Sequence, residues 1–256
     1  PTIFECVKVR CDGATGFVPV TDDAGSADLP FIKVVNGSAS VLYGNSTATF
    51  APVCPSYTPI STFSGSPGDF TAGNFDNRYG SPQSNFVSVA TPVPVCGESG
   101  QSLRHQSSTA STVFSNATYW TAAPGNNIEL FAQFTGTSAT FNIVIIYFGA
   151  TAFGSTYRAM FDWGNSMCYL QNGGSTLQSA AISSRPTGQF CNLVVDYRNS
   201  SSDLKMDLLD GVNGSSLISG GALVDSDTSH TGSQIGMYVK SSASDPIYVN
   251  ALRTVP

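Results

Sequence analysis

Few residues in this 256-residue chain can carry acid–base or nucleophilic chemistry. Glutamate occurs only at Glu5, Glu98 and Glu129, and histidine only at His105 and His230. Cleaving a glycosidic bond takes two carboxylates facing one substrate, and on a strand alternate spacing is what puts them on one face. Glu129 stands alone in NIELFAQF and reads as an isolated strand-end carboxylate. A serine nucleophile needs a base held against it. Ser99, in Cys96-Gly97-Glu98-Ser99-Gly100, has both histidines downstream, and Asp227-Thr228-Ser229-His230 supplies an aspartate three residues before one of them. The pattern between Ser99 and His230 is one of strands, with no helix to support a nucleophile turn. Gly97–Gly100 therefore reads as a linker turn and His230 as an exposed loop residue.

Metal chemistry has slender candidates. Asp225 with Asp227, Asp203 with Asp210, and Asp69 with Asp76-Asn77 could offer oxygens to calcium, which takes six to eight of them. None matches an EF-hand loop, and aspartate is an ordinary turn residue. The six cysteines (Cys6, Cys11, Cys54, Cys96, Cys168, Cys191) contain no CxxC pair and no Cys/His cluster, so no zinc site is expected. They allow three disulfides, or several buried free thiols. Five N-x-S/T sequons, at Asn36, Asn45, Asn116, Asn199 and Asn213, exceed the roughly three expected by chance too slightly to argue for glycans. Trp163, Tyr169 and Tyr238 could make a sugar-stacking face, against the more common fate of strand aromatics in a core. No catalytic, metal or cofactor residue is assigned.

The elements that must position these groups are strands. No stretch keeps apolar residues at helical spacing, whereas short β-branched and aromatic runs are punctuated by Gly, Pro, Asn and Ser. Strands are expected at 3–10, 17–20, 31–35, 40–43 and 47–53, with Gly44-Asn45 as a hairpin turn. Residues 54–84 read as a long structured loop. Residues 85–95 return to extended structure, with Pro92 and Pro94 placing them at a sheet edge. Residues 97–112 are polar and weakly patterned, and the domain boundary is expected there. Beyond it, strands are expected at 128–135, 141–148, 157–163, 166–171, 177–183, 189–197, 204–209, 234–239 and 247–253. Turns such as Gly164-Asn165, Asn172-Gly173-Gly174 and Asp210-Gly211 separate them.

That strand density is the economy of an antiparallel jelly roll. YRAMFDWGNSMCYLQNGG, FCNLVVDYRNSSSDLKMDLLDG and QIGMYVKSSASDPIYVNALRTV resemble the central, later and closing strands of laminin-G or concanavalin A-like domains. The resemblance covers roughly residues 113–256. It implies a jelly-roll sandwich in a family whose members commonly bind glycans or proteins, and some of which are glycoside hydrolases. The carboxylate row of such hydrolases is missing here. The fold class expected is all-β. A small N-terminal β docking module is expected over residues 1–104, and a concanavalin A/laminin-G-like jelly roll over residues 105–256.

Composition narrows the function. Charged residues are 11%, against about 25% in an average domain, while hydrophobic residues reach 41%. Solubility must rest on serine and threonine, which suits dense packing beside other subunits or life outside the cell. The net charge of −6, with 11 scattered Lys and Arg, disfavours nucleic acid. No apolar run approaches the roughly 20 residues that span a bilayer, so no membrane is expected as a partner. The start at Pro1 is read as loss of an initiator methionine, hence synthesis in a cytoplasm without export, with earlier cleavage of a leader as the alternative. Together these point to a non-enzymatic structural or adhesive virion protein, such as a phage decoration, fibre or tail component. Its expected partners are other virion proteins, copies of itself and a host-surface glycan. The alternative is a secreted lectin-like carbohydrate-binding protein; a divergent hydrolase ranks third.

Overall fold

A computed structural model of the chain describes residues 17–19, 31–35, 38–43, 46–49, 58–59, 75–79, 85–92, 94, 102–115, 127–138, 140–152, 155–197, 204–211 and 214–255. The nineteen elements found among them are all β-strands. Two compact units are formed: residues 1–54 with 212–215, and residues 55–211 with 216–256.

The first unit holds one antiparallel sheet in the order β1 (Phe17–Pro19), β2 (Phe31–Val35), β3 (Ser38–Tyr43), β4 (Ser46–Thr49). β3 and β4 pair antiparallel with Tyr43 opposite Ser46, while the expected turn residues Gly44-Asn45 lie outside the described residues. The expected strand over 3–10 lies outside the described residues.

The second unit is a sandwich of two antiparallel sheets. Its strands are β5 (Thr58–Pro59), β6 (Phe75–Tyr79), β7 (Phe86–Val89), β8 (Ser102–His105), β9 (Ser111–Ser115), β10 (Asn127–Phe134), β11 (Ile143–Ala152), β12 (Ser155–Asp162), β13 (Met167–Asn172), β14 (Ser175–Ala181), β15 (Phe190–Tyr197), β16 (Leu204–Asp210), β17 (Leu223–Asp225), β18 (Gln234–Lys240) and β19 (Ile247–Val255). The eight-stranded sheet runs β17-β16-β15-β10-β19-β8-β7, with β5 also on β19. The seven-stranded sheet runs β14-β13-β12-β11-β18-β9-β6. Each of the nine strands expected after residue 112 is present. The chain alternates between sheets in blocks, so neighbours in space come from distant sequence, as in a jelly roll.

Period-two alternation supplies the core. On the eight-stranded sheet Ile128, Leu130, Phe134, Leu193, Val195 and Tyr197 point inward and are fully buried. From the facing sheet come Val144, Ile146, Phe148, Phe161, Leu170, Met237 and Val239. At about 25 cal/mol per Å² of apolar surface buried, these side chains are the main force holding the sheets together.

Two expectations need correction. The domain boundary does not fall at 104/105, because β8 pairs with both β19 and β7, and β6 pairs β9. Strands from residues 55–104 complete the sandwich sheets, and the division between compact units lies at 54/55. Residues 54–84, expected to be loop throughout, contribute β5 and β6. The edge position expected for 85–95 is met: β7 ends the eight-stranded sheet.

Candidate functional site

The seven-stranded sheet has a second apolar layer on the face turned away from the core. β11 is apolar on both faces: Val144, Ile146 and Phe148 enter the core, while Ile145 and Tyr147 form a separate cluster with Ala150, Ile143, Met160 and Tyr238. β12, β13 and β18 alternate more sharply, sending Arg158, Met160, Tyr169, Gln171 and Tyr238 to this outer face. The register then decides which of them are neighbours. Tyr238 pairs Ile145, Ile145 pairs Met160, and Met160 pairs Tyr169, making one straight row across four strands. Beside it runs a second row: Tyr147 pairs Arg158, which pairs Gln171. At about 4.8 Å per strand, Tyr238 and Tyr169 stand roughly 14 Å apart. Both are partly exposed, whereas Tyr147 is only 7% exposed.

The face is electrostatically simple. Burial raises the pKa of Tyr147, opposed by Arg158 and reinforced by Tyr238, and burial likewise raises that of Tyr238. Both phenols are therefore neutral at physiological pH. The Arg158 guanidinium lies 5.6 Å from the centre of the Tyr147 ring, a cation–π distance. Asp162 shares the strand and the face, but both its oxygens hold the next turn. They accept from the Asn165 amide at 3.0 Å and from Asn165 Nδ2 at 2.9 Å. Flat tyrosine faces flanked by a guanidinium and a carboxamide can bind a ligand that presents C–H faces and hydroxyls at its edge.

Of the three aromatics singled out from sequence, Tyr169 and Tyr238 lie on this face. Trp163 does not. It is fully buried and stacked on Phe134 at 4.4 Å and 4°, at the end of a strand whose inward positions are all aromatic or small. Tyr147 and Arg158 were missed. Tyr147 sits within the apolar run of 141–148, where nothing in the sequence says which alternate residues leave the core.

Asp227 and His230 do come together, at the β13–β14 turn, as parts of a structural network. Asp227 Oδ1 accepts from the Tyr157 hydroxyl (2.7 Å), Ser229 Oγ (2.6 Å) and the Ser229 amide (2.8 Å). Its Oδ2 accepts from Asn172 Nδ2 at 3.1 Å. These bonds, led by the Ser229 hydroxyl and then the Tyr157 hydroxyl, hold the Asp227 carboxyl below the usual carboxylate range. His230 Nε2 meets Asn172 Oδ1 at 2.8 Å; a carboxamide oxygen only accepts, so Nε2 carries the proton. His230 is thus set to hold a loop and is not oriented by Asp227 as a general base. Gly149, at φ +71°, lets the ring pair approach: a Cβ there would come within 2.9 Å of Tyr157 and 3.3 Å of His230. Asp225 belongs to the same network, accepting from the Asp227 amide and from Gln178.

The other candidates are absorbed by structure or lie elsewhere. Glu129 sits within β10 and not at its end, and it has a partner. Arg253, 1% exposed, donates to its Oε2 from Nη2 at 2.7 Å and from Nε at 2.9 Å. Cys168 and Cys191 are free and buried, matching the small-hydrophobe reading, and burial pushes the Cys191 thiol up to about 12. Asp210 accepts from Gln189. No group of three or more His, Cys, Asp or Glu able to hold a metal occurs among the described residues. Ser99, Glu5, Glu98, Asp69, Asp203, the other four cysteines and all five sequon asparagines lie outside them, and of Asp76-Asn77 only the backbone is described.

His105 was expected only as a failed catalytic partner. It is fully buried, pointing from β8 into the space between the sheets. Nδ1 lies 2.8 Å from Ser241 Oγ and Nε2 3.1 Å from Ser111 Oγ. Ser241 Oγ donates its one proton to the His105 carbonyl, so Nδ1–H must donate to Ser241 and Nε2 must accept from Ser111. Asn85 Nδ2 completes the chain by donating to Ser111 Oγ at 2.9 Å. The neutral imidazole is thereby tied to both sheets.

No protein-family model and no curated protein sequence matches the chain. Solved structures resemble it at low identity. A carbohydrate-binding module, CBM66, from Bacillus subtilis aligns at 11% identity over 67% of this chain and 96% of its own, with a TM-score of 0.45. The exoplasmic/lumenal domain of VIP36, bound to Ca²⁺ and Man3GlcNAc, aligns at 12% over 70% and 82%, with a TM-score of 0.47. A legume lectin-like domain from Entamoeba histolytica aligns at 9% over 78% and 97%, with a TM-score of 0.46.

Proposed function

We propose that the sandwich is a non-enzymatic glycan-binding module whose ligand lies across the outer face of the seven-stranded sheet. The observation that carries this reading is the row Tyr238–Ile145–Met160–Tyr169 with Arg158 and Gln171 beside it. Pyranose rings have apolar C–H faces that stack on tyrosine, while their hydroxyls need fixed polar partners at the edge. Two partly exposed tyrosines roughly 14 Å apart would suit an extended saccharide, and an apolar floor between them would exclude water. Such a ligand places the protein at a cell surface or outside the cell. The virion role expected from composition gains no specific feature here: a surface poor in charge serves a saccharide binder equally well.

The test is a glycan microarray with the wild-type chain, followed by calorimetry on the best binder. Replacing Tyr169 or Tyr238 by alanine should weaken binding about tenfold or more, on the scale of one lost aromatic stack, without lowering thermal stability. Binding that survives both substitutions at full strength would sink the assignment of this face.

A further inference from the structure

Among the described residues, one cation on the outer face has no counter-ion. Arg158 projects between Tyr147 and Gln171 in the second row. Its Nε is shut off from solvent and meets no hydrogen-bond partner. A buried donor left unpaired is costly, and a bound acceptor would relieve that cost. The nearest carboxylate on its own strand and face, Asp162, has both oxygens engaged by Asn165. The ion pair formed among the described residues, Glu129 with Arg253, belongs to the other sheet. Tyr147 and Tyr238 contribute no negative charge, being neutral phenols. Arg158 is thus a half-buried guanidinium resting on an aromatic ring, with no ion pair among the described residues.

We propose that the ligand of this face carries a carboxylate, being an acidic saccharide of uronate or sialate type, and that Arg158 receives it. The inference rests on the glycan-binding reading and adds the class of sugar. Guanidinium and carboxylate match as a planar fork, and the bond is charge-assisted on both sides. The pyranose ring bearing the carboxylate then lies toward the Tyr169 end, with Gln171 next in the row for a hydroxyl. A neutral saccharide would leave the guanidinium unpaired under a dry ligand, which binding would disfavour.

The experiment compares matched ligands that differ only in charge: tetragalacturonate with its methyl ester, and sialyllactose with lactose. Each is titrated by calorimetry into the wild-type chain and into Arg158→Gln and Arg158→Lys. The acidic member of at least one pair should bind about tenfold or more tightly than its neutral counterpart, and the margin should shrink as salt rises. Arg158→Gln should abolish the margin while near-ultraviolet circular dichroism stays unchanged. Arg158→Lys, which keeps the charge and loses the fork, should retain part of it. Free acetate should compete with the acidic ligand only weakly, since it lacks the ring that stacks. Equal binding of acidic and neutral members, or a margin that survives Arg158→Gln, overturns the acidic assignment and leaves the glycan reading standing. No binding by any of these ligands or across the microarray overturns both.

Discussion

Acid should loosen the sandwich through His105, and the size of the effect follows from its surroundings. The imidazole is fully buried between the sheets, and burial lowers its pKa from the usual 6.5 to about 4. Its inward neighbours on β8, β18 and β19 are apolar: Leu103, Met237, Val239, Ile247 and Val249. The charged residues of those strands, Arg104, Lys240 and Arg253, occupy alternate, outward positions. Protonation would also turn Nε2 from an acceptor into a donor facing the Ser111 hydroxyl, which must then rotate away. The folded state holds the proton less tightly than the unfolded chain. The stabilising contribution of neutral His105 is therefore full above about pH 6.5, declines as pH falls, and is gone below about pH 4. A gap of roughly 2.5 pH units corresponds to about 3 kcal/mol in all, and to about 2 kcal/mol by pH 5. Urea unfolding followed by near-ultraviolet circular dichroism at several pH values would measure it, comparing wild type with His105→Gln. Glutamine cannot titrate, and every carboxylate is shared by the two proteins. The wild-type curve should therefore fall by about 3 kcal/mol more than the variant's between pH 7 and pH 4. Parallel curves over that range would refute the reasoning, whatever the variant's absolute stability.

Other outcomes follow from named contacts. Arg253→Ala should cost about 3 kcal/mol because it leaves Glu129 charged and unpaired on a largely covered face, and the Arg253→Ala/Glu129→Ala double variant should recover part of that loss in a denaturation cycle. Gly211→Ala should destabilise by about 1–3 kcal/mol, since its methyl would be driven into the Phe190 carbonyl oxygen; a melting temperature equal to wild type would contradict this. Trp163→Ala should cost about 3–5 kcal/mol in urea unfolding yet leave the tyrosine face able to bind, the reverse of Tyr169→Ala. The thiols of Cys168 and Cys191 should resist Ellman's reagent in the native state at pH 8 and react only on unfolding, because burial keeps them protonated.

Nine of the sandwich strands were legible in advance because most alternate apolar and polar residues, β11 being instead one short apolar run, and turn-forming residues separate them. The strands that escaped notice lacked that contrast. β8 reads Ser-Leu-Arg-His and β9 opens on Ser-Thr; they are strands because β19 and β18 offer open edges to pair with, more than a hundred residues along the chain. β17 has three residues and exists as an addition to β16. The boundary set in this polar stretch fell in the middle of a sheet for the same reason. Composition spoke to surface character and pattern to fold class, and neither could name a ligand.

The sequence by itself determined that this chain is all-β, that it is poor in charge, and which residues alternate along most strands. Local sterics and side-chain period are enough for that, since they act between neighbours in the chain. Only the tertiary structure decided that Trp163 is core while Tyr169 and Tyr238 share an outer row, that Glu129 answers Arg253, and that His105 bridges two sheets. The Glu129–Arg253 pair and the place of Tyr238 depend on register between strands that lie far apart in sequence, while Tyr169 is placed by the register of the β12–β13 hairpin. A shift of one residue in any pairing would send the tyrosines to the other face.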